Sequence, residues 1–163
     1  MKRDGSRGRM QAVEAVVRGR ESAVLEILRV ADLMTRIGNA KVFGKRLTQA
    51  QFNVLMVLKR NGNGGMSQKD ILQKLISTKG NLSIHISNLT KMGLIRKKKS
   101  PHDNRMHEIT LTDAGHQILD ELEPLYMQHL NEIIRVFPPE DAAKVKEVLG
   151  RIEQKCREML AGR

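Results

Sequence analysis

The sequence predicts a mainly α fold with one small β-hairpin, and three observations carry that prediction. Apolar residues recur at spacings of three and four over most of the chain, as in helices that bury one face. One stretch alone, residues 94–111, reads as two extended segments around a polar turn. No internal repeat or low-complexity linker interrupts the pattern, and 163 residues suit one compact domain or two small lobes sharing a core.

The first helix is expected from about Glu21 to Ile37, where Val24, Ile27, Leu28, Ala31 and Met34 recur at helical spacing. Gln11 to Val17 could extend it upstream, although Gly19 weakens the join. Thr48-Gln49-Ala50-Gln51 has capping-box spacing. A second helix therefore opens there, carries Phe52, Leu55 and Leu58, and stops by the run Asn61-Gly62-Asn63-Gly64-Gly65. A turn before a short strand accounts for that glycine run, which lacks the Lys-Ser or Lys-Thr pair of a phosphate loop. A third, short helix begins at Ser67, with Asp70 at N3 and a stripe of Ile71, Leu72 and Leu75. The fourth runs from near Thr78 to Met92, because Gly93 followed by apolar Leu94 has the form of a C′ glycine.

Leu94-Ile95-Arg96-Lys97-Lys98-Lys99, the polar turn Ser100 to Arg105 and the segment Met106 to Leu111 then make the hairpin. Thr112 caps a long helix carrying Ile118, Leu119, Leu122, Leu125, Leu130, Ile133 and Phe137, with Pro124 expected to bend it. Pro138-Pro139 ends that helix and Glu140-Asp141 opens the last one. Its stripe is Val145, Val148, Leu149, Ile152, Cys156 and Met159, and burial in that stripe is the expected state of the cysteine.

Composition narrows the function classes. Hydrophobic residues are 40% and charged residues 29%, ordinary for a globular chain rather than a disordered one. A single cysteine excludes an intrachain disulfide and any multi-cysteine zinc or iron–sulfur site. The five histidines form no HxxxH or HExxH pair, so no metal and no cofactor is expected. No Ser/His/Asp or paired-acid arrangement stands out, so the chain is not expected to be an enzyme. The longest apolar run, Val54 to Leu58, is far short of the ~20 residues that cross a bilayer. Met1 to Arg20 is basic without the apolar stretch of a signal peptide, so no membrane partner and a cytoplasmic location are expected.

The charge is the strongest pointer to a partner. The chain carries 29 Lys and Arg against 18 Asp and Glu, a net +11. Eleven of the basic residues lie between Lys59 and Arg105, opposed only by Asp70 and Asp103, which concentrates +9 in 47 residues. From Thr112 to Leu160 the balance reverses to ten acidic and six basic residues. Such a segment is the electrostatic footprint of a polyphosphate-binding protein.

Helix, short helix, capped helix and basic hairpin is the order of a winged helix-turn-helix. At about 100° per residue, Leu82, Ile86 and Leu89 of the fourth helix fall on one side, to pack on the two preceding helices. Gly80, Ile84, Ser87 and Lys91 fall opposite, flanked by Asn81 and Asn88. A small, polar, basic face suits a helix that enters a major groove. The candidate DNA-reading residues of this helix are Thr78, Lys79, Gly80, Asn81, Ser83, Ile84, Ser87, Asn88 and Lys91. Arg96, Lys97, Lys98 and Lys99 on the wing are candidates for backbone phosphates.

Five pieces in register carry a family resemblance: Leu47-Thr48-Gln49-Ala50-Gln51-Phe52, Lys79-Gly80-Asn81-Leu82-Ser83, Leu89 to Ile95, Asp103-Asn104-Arg105, and Ile109-Thr110-Leu111-Thr112-Asp113-Ala114-Gly115. Together they resemble the MarR family of bacterial transcription regulators. The resemblance implies a homodimer whose N- and C-terminal helices form the dimerisation region and whose winged lobes straddle a pseudo-palindromic operator in double-stranded DNA. It also implies a repressor released by a small-molecule effector or by oxidation. Asp103 and Arg105 resemble the family's Asp-x-Arg wing motif, in which the acid orients an arginine that probes the minor groove. Redox-sensing relatives generally carry their cysteine near the N-terminus, where this chain has none. With three Phe, one Tyr, no Trp and nine Met, few aromatics are available to line an effector pocket. Met34, Met56, Met92 and Tyr126 are the residues that could contribute, and the ligand-binding set stays unknown.

The expected organisation is thus a basic N-terminal segment (1–20), an N-terminal dimerisation helix (21–46), the winged lobe (47–111) and C-terminal dimerisation helices (112–163). The alternatives are a non-sequence-specific nucleic-acid-binding or architectural protein, which would need only the lysines, and an activator of the same fold.

Overall fold

The computed structural model describes residues 4–62, 64–75, 77–99 and 107–162. The elements run in the order α1 (Asp4–Ile37), a π-helical segment (Gly38–Phe43), α2 (Gln49–Arg60), α3 (Gln68–Lys74) and α4 (Lys79–Lys91). Strands β1 (Ile95–Lys99) and β2 (His107–Leu111) come next, then α5 (Asp113–Ile134) and α6 (Pro139–Ala161). The chain divides into two compact units, Met1–Leu122 and Glu123–Arg163, with the boundary inside α5.

The starts of α2 and α3 are set by their first residues. Thr48 Oγ1 accepts from the Gln51 N–H at 3.2 Å and Gln51 Oε1 accepts from the Thr48 N–H at 2.8 Å. Ser67 and Asp70 repeat this reciprocal box at α3, at 3.2 and 3.3 Å. Each box satisfies two backbone donors that a helix start would otherwise leave open. Helix α4 opens on Thr78, whose hydroxyl oxygen accepts from the Asn81 N–H at 3.2 Å.

The end of α4 shapes the turn into the hairpin. Gly93 has φ +72°, a conformation that favours glycine. It lets the Leu94 N–H reach the Leu89 carbonyl and its own N–H reach the Thr90 carbonyl, both at 3.0 Å. The start of α5 then docks on this turn. Thr112 Oγ1 donates to the Gly93 carbonyl at 2.6 Å and accepts from the Gly115 N–H at 3.1 Å. A Cβ at Gly115 would run into the Leu94 carbonyl oxygen, so the fit requires glycine.

One core results. Phe52, Val54, Leu55 and Leu58 of α2, Ile71 of α3, Leu82, Ile86 and Leu89 of α4, Ile95 and Ile109 of the hairpin and Leu119 and Leu122 of α5 are each at most 2% exposed. Phe43 joins them, its ring centroid 4.9 Å from that of Phe52. The strands pair antiparallel with Ile95 opposite Leu111 and Lys97 opposite Ile109, and Met66 bridges to Ile109 as the short strand expected after the glycine run.

Three expectations need correction. The first helix does not wait for Glu21, because α1 is continuous from Asp4 through Gly19. Gly19 has open space around it, so it costs only the helix propensity of a glycine, ~1 kcal/mol. The segment 38–46 is not α-helical: after Ile37 the chain widens into the π-helical segment, which buries Gly38, Val42 and Phe43, and Gly44 closes it on the Asn39 carbonyl. The Asn39 side chain ties this segment to α2 by accepting from the Gln49 N–H at 2.7 Å. Helix α5 ends at Ile134, and Phe137 lies in a tighter turn closed by its N–H on the Ile134 carbonyl, ahead of Pro138-Pro139.

The second unit contrasts with the first in burial. Helix α6 buries none of its residues, and Leu149, Met159 and Leu160 are 41%, 66% and 72% exposed. Cys156 is exposed too, against the expected burial, because the stripe that carries it is uncovered in the single chain. Among the described residues no helix is long and apolar enough to cross a membrane.

Candidate nucleic-acid interface

Helix α4 presents the face that its sequence implies. Leu82, Ile86 and Leu89 are buried, and Thr78, Lys79, Gly80, Asn81, Ser83, Ile84, Ser87, Asn88 and Lys91 are all exposed. Ile84 is 58% exposed on this face. Nothing lies within 4 Å of a Cβ built on Gly80, so the backbone is open to close approach there.

The wing extends this surface. Side chains alternate along a strand, so Lys97 shares the face of Ile95 while Arg96 and Lys98 point the other way. Arg96 Nε donates to Thr110 Oγ1 at 3.1 Å, which braces the guanidinium across the hairpin. Lys99 pairs with His107 through the strand register. Asp103 and Arg105 lie outside the described residues.

Between α3, α4 and the wing runs a shallow groove in two parts. One, of about 320 Å3, is bordered by Gln68, Ser83, Ile86, Ser87, Thr90, Lys91 and Lys97. The other, of about 250 Å3, is bordered by Ser67, Gln68, Lys69, Lys97, His107 and Ile109. Ser83, Ser87 and Lys91 therefore meet Lys97 on one surface. On the far side of α4, Asn88, Lys91 and Met92 border a groove of about 390 Å3 with Lys45, Arg46, Thr48 and Gln51.

Gln68, Lys69 and His107 are site residues that sequence patterning does not reveal. Gln68 is the first residue of α3, and its Nε2 donates to Ser83 Oγ at 2.6 Å. No local periodicity signals a bond across fifteen positions. Lys69 is visible in the sequence only as part of the basic count.

Two acidic residues of α5 border the lobe. Asp120 pairs with Lys59 at 3.0 Å and Glu121 with Arg46 at 2.8 Å. Among the described residues no group of three or more His, Cys, Asp or Glu is placed to hold a metal ion.

The surface is thus rich in hydroxyls, amides and ammonium groups, and α4 carries no Phe, Tyr or Trp. Proteins that grip single strands stack bases on aromatic platforms, which this face does not offer. Small polar side chains on an exposed helix beside a basic wing instead match base edges and phosphates of a duplex.

Known proteins share this arrangement. The model of the MarR family matches residues 47–106, the winged lobe. The HTH-type transcriptional regulator PecS of Dickeya dadantii (strain 3937) is 27% identical over 116 residues, 70% of each chain. The transcriptional repressor CouR, solved bound to a 23-mer DNA duplex, is 26% identical with a TM-score of 0.69, over 78% of this chain and 89% of CouR. PcaV of Streptomyces coelicolor, solved in complex with its natural ligand, shares the fold at 20% identity and a TM-score of 0.71, over 78% and 89% of the two chains. The helix order, the antiparallel wing, the match over the lobe and these likenesses agree: the lobe matches the MarR family of transcription regulators, and the chain has the winged helix-turn-helix fold of the proteins it resembles.

Proposed function

We propose that the protein is a homodimeric repressor that reads a pseudo-palindromic operator in duplex DNA and is released by a small-molecule effector. The observation that carries the reading is the exposed face of α4, on which eight candidate residues and the N-cap Thr78 are exposed beside Lys97. Asn81 and Asn88 have the amide geometry for adenine, the serines suit either strand, and Ile84 suits a thymine methyl. Arg96, Lys97, Lys98 and Lys99 supply phosphate contacts, and Arg105, oriented by Asp103, probes the minor groove. CouR, a repressor captured on a DNA duplex, and PcaV, captured with its natural ligand, support the repressor and effector parts of the reading.

One lobe makes too few base contacts to single out a site, whereas two lobes on one face of the duplex multiply them and impose two-fold symmetry on the operator. The apolar residues left exposed on α1, the last turns of α5 and α6 supply the material for pairing. In this organisation residues 21–46 and residues 112–163 form the dimerisation region around a winged lobe of residues 47–111, and residues 1–20 are a basic N-terminal segment.

The test is competition between a short duplex from upstream of the protein's own gene and random DNA across a salt series. Preferential binding that survives added salt is expected, with Arg105→Ala weakening it while leaving the circular dichroism spectrum unchanged. Equal affinity for both duplexes would leave only a lysine-driven, non-specific binder.

A further inference from the structure

We propose that Gln68, on α3, sets the base preference of α4 by locking the Ser83 hydroxyl as a pure hydrogen-bond acceptor. The base opposite Ser83 is then one that offers an amino group in the major groove, adenine N6 or cytosine N4. The inference rests on the reading of α4 as the DNA-reading helix and names a chemistry for one of its positions.

A free serine hydroxyl has one proton to donate and two lone pairs to accept with, so it is indifferent to which base edge it meets. Ser83 is not free. Its hydroxyl donates to the Lys79 carbonyl at 2.9 Å, and a carbonyl can only accept, so the single proton is committed. Gln68 Nε2 then donates to the same oxygen at 2.6 Å, occupies one lone pair and so holds the hydroxyl with its proton on the Lys79 carbonyl; without that donor the hydroxyl can turn and donate to a base instead. One lone pair remains, and Ser83 itself borders the groove with Gln68, Ser87 and Lys97.

Gln68 is well placed to hold this arrangement. It comes directly after Ser67, so its backbone is fixed by the Ser67–Asp70 capping box, and its side chain is half-buried. Helices α3 and α4 pack on one another, and Ile71 of α3 and Leu82 and Ile86 of α4 are all at most 1% exposed. In the major groove, guanine offers the acceptors O6 and N7 and thymine the acceptor O4, whereas adenine N6 and cytosine N4 are donors. An acceptor-only Ser83 meets lone pairs on guanine O6 and thymine O4 and a proton on the amino groups. Gln68 is thus a positioning residue that acts through Ser83.

The experiment is enrichment of bound duplexes from a random-sequence library by the full-length protein and by Ser83→Ala, Gln68→Met and Gln68→Ala. Gln68→Met keeps the stem and volume but removes the donor, which separates hydrogen bonding from packing. Thermal melting of each variant checks that it folds. The position opposite Ser83 is the one whose preference disappears in Ser83→Ala, and the wild type is expected to carry adenine or cytosine there. In both Gln68 variants guanine and thymine should rise roughly tenfold at that position alone, with the other positions unchanged.

A wild-type preference for guanine or thymine at that position overturns the proposal. So does a Gln68→Met profile identical to the wild type, or a Ser83→Ala profile with no position altered. Failure of the wild type to enrich any sequence overturns the DNA-reading role of α4 itself, and this proposal with it. A wild type that enriches a motif untouched by the Gln68 variants removes the proposal alone.

Discussion

The winged lobe and the long flanking helices answer the hydrophobic effect in opposite ways. In the lobe, Val54, Leu55, Ile71, Leu82, Leu89 and Ile109 are 0% exposed within the single chain. On α1, Val24, Leu25, Leu28 and Leu33 are 46–63% exposed, and α6 buries nothing. Apolar stripes at helical spacing are equally plain in both regions. The difference shows that amphipathic patterning specifies that a face is to be covered, while the lobe alone carries its cover within the chain. The exposed apolar residues of its flanking helices are the surface that the homodimer proposed above would bury.

That contrast is open to attack at three points. The largest effect belongs to the lobe core, where Leu82→Ala should cost about 3 kcal/mol by denaturant unfolding. Leu28→Ala, at a 63% exposed position, should alter the unfolding of the dilute monomer by less than ~0.5 kcal/mol. Equal costs at the two positions would erase the distinction. Next comes self-association: Leu25→Glu with Leu28→Glu should weaken it at least tenfold in sedimentation equilibrium, about 1.4 kcal/mol, with helix content retained. A wild-type chain that stays monomeric at every concentration would defeat the dimer outright. The smallest effect is a helix start, where Thr48→Ala should lower lobe stability by about 1 kcal/mol and leave self-association untouched.

Much of the lobe is legible in the sequence because its signals are local. The Thr48–Gln51 and Ser67–Asp70 boxes, the glycine after Met92 and the two extended segments around a polar turn each depend on residues a few positions apart. They locate α2, α3, α4 and the hairpin closely. Less legible features depend on distant neighbours or on weak patterning. The π-helical segment lacks a helical stripe and is organised by Asn39 reaching Gln49. Gly115 looks like a poor helix residue until the Leu94 carbonyl is seen against it. Among the candidate DNA-reading residues, the helical period alone puts Gly80, Ile84, Ser87 and Lys91 of α4, flanked by Asn81 and Asn88, on the outer face. It says nothing of Gln68, whose meaning lies in a hydroxyl on another helix.

The two ion pairs between α5 and the lobe have a consequence for ionic strength. Asp120 and Glu121, adjacent in sequence, pair with Lys59 near the end of α2 and with Arg46 in the segment before it. Both pairs are largely exposed, so each contributes little to stability, ~0–1 kcal/mol. They do act as resident counter-ions, a fixed fraction of neutralising charge that never leaves with the solvent. A cation already compensated in this way releases no ion from a polyanion when the two approach. The salt dependence of binding should therefore count the lysines and arginines of the lobe that pair with no acid among the described residues, such as Lys69 and Lys97, and fall short of its formal charge.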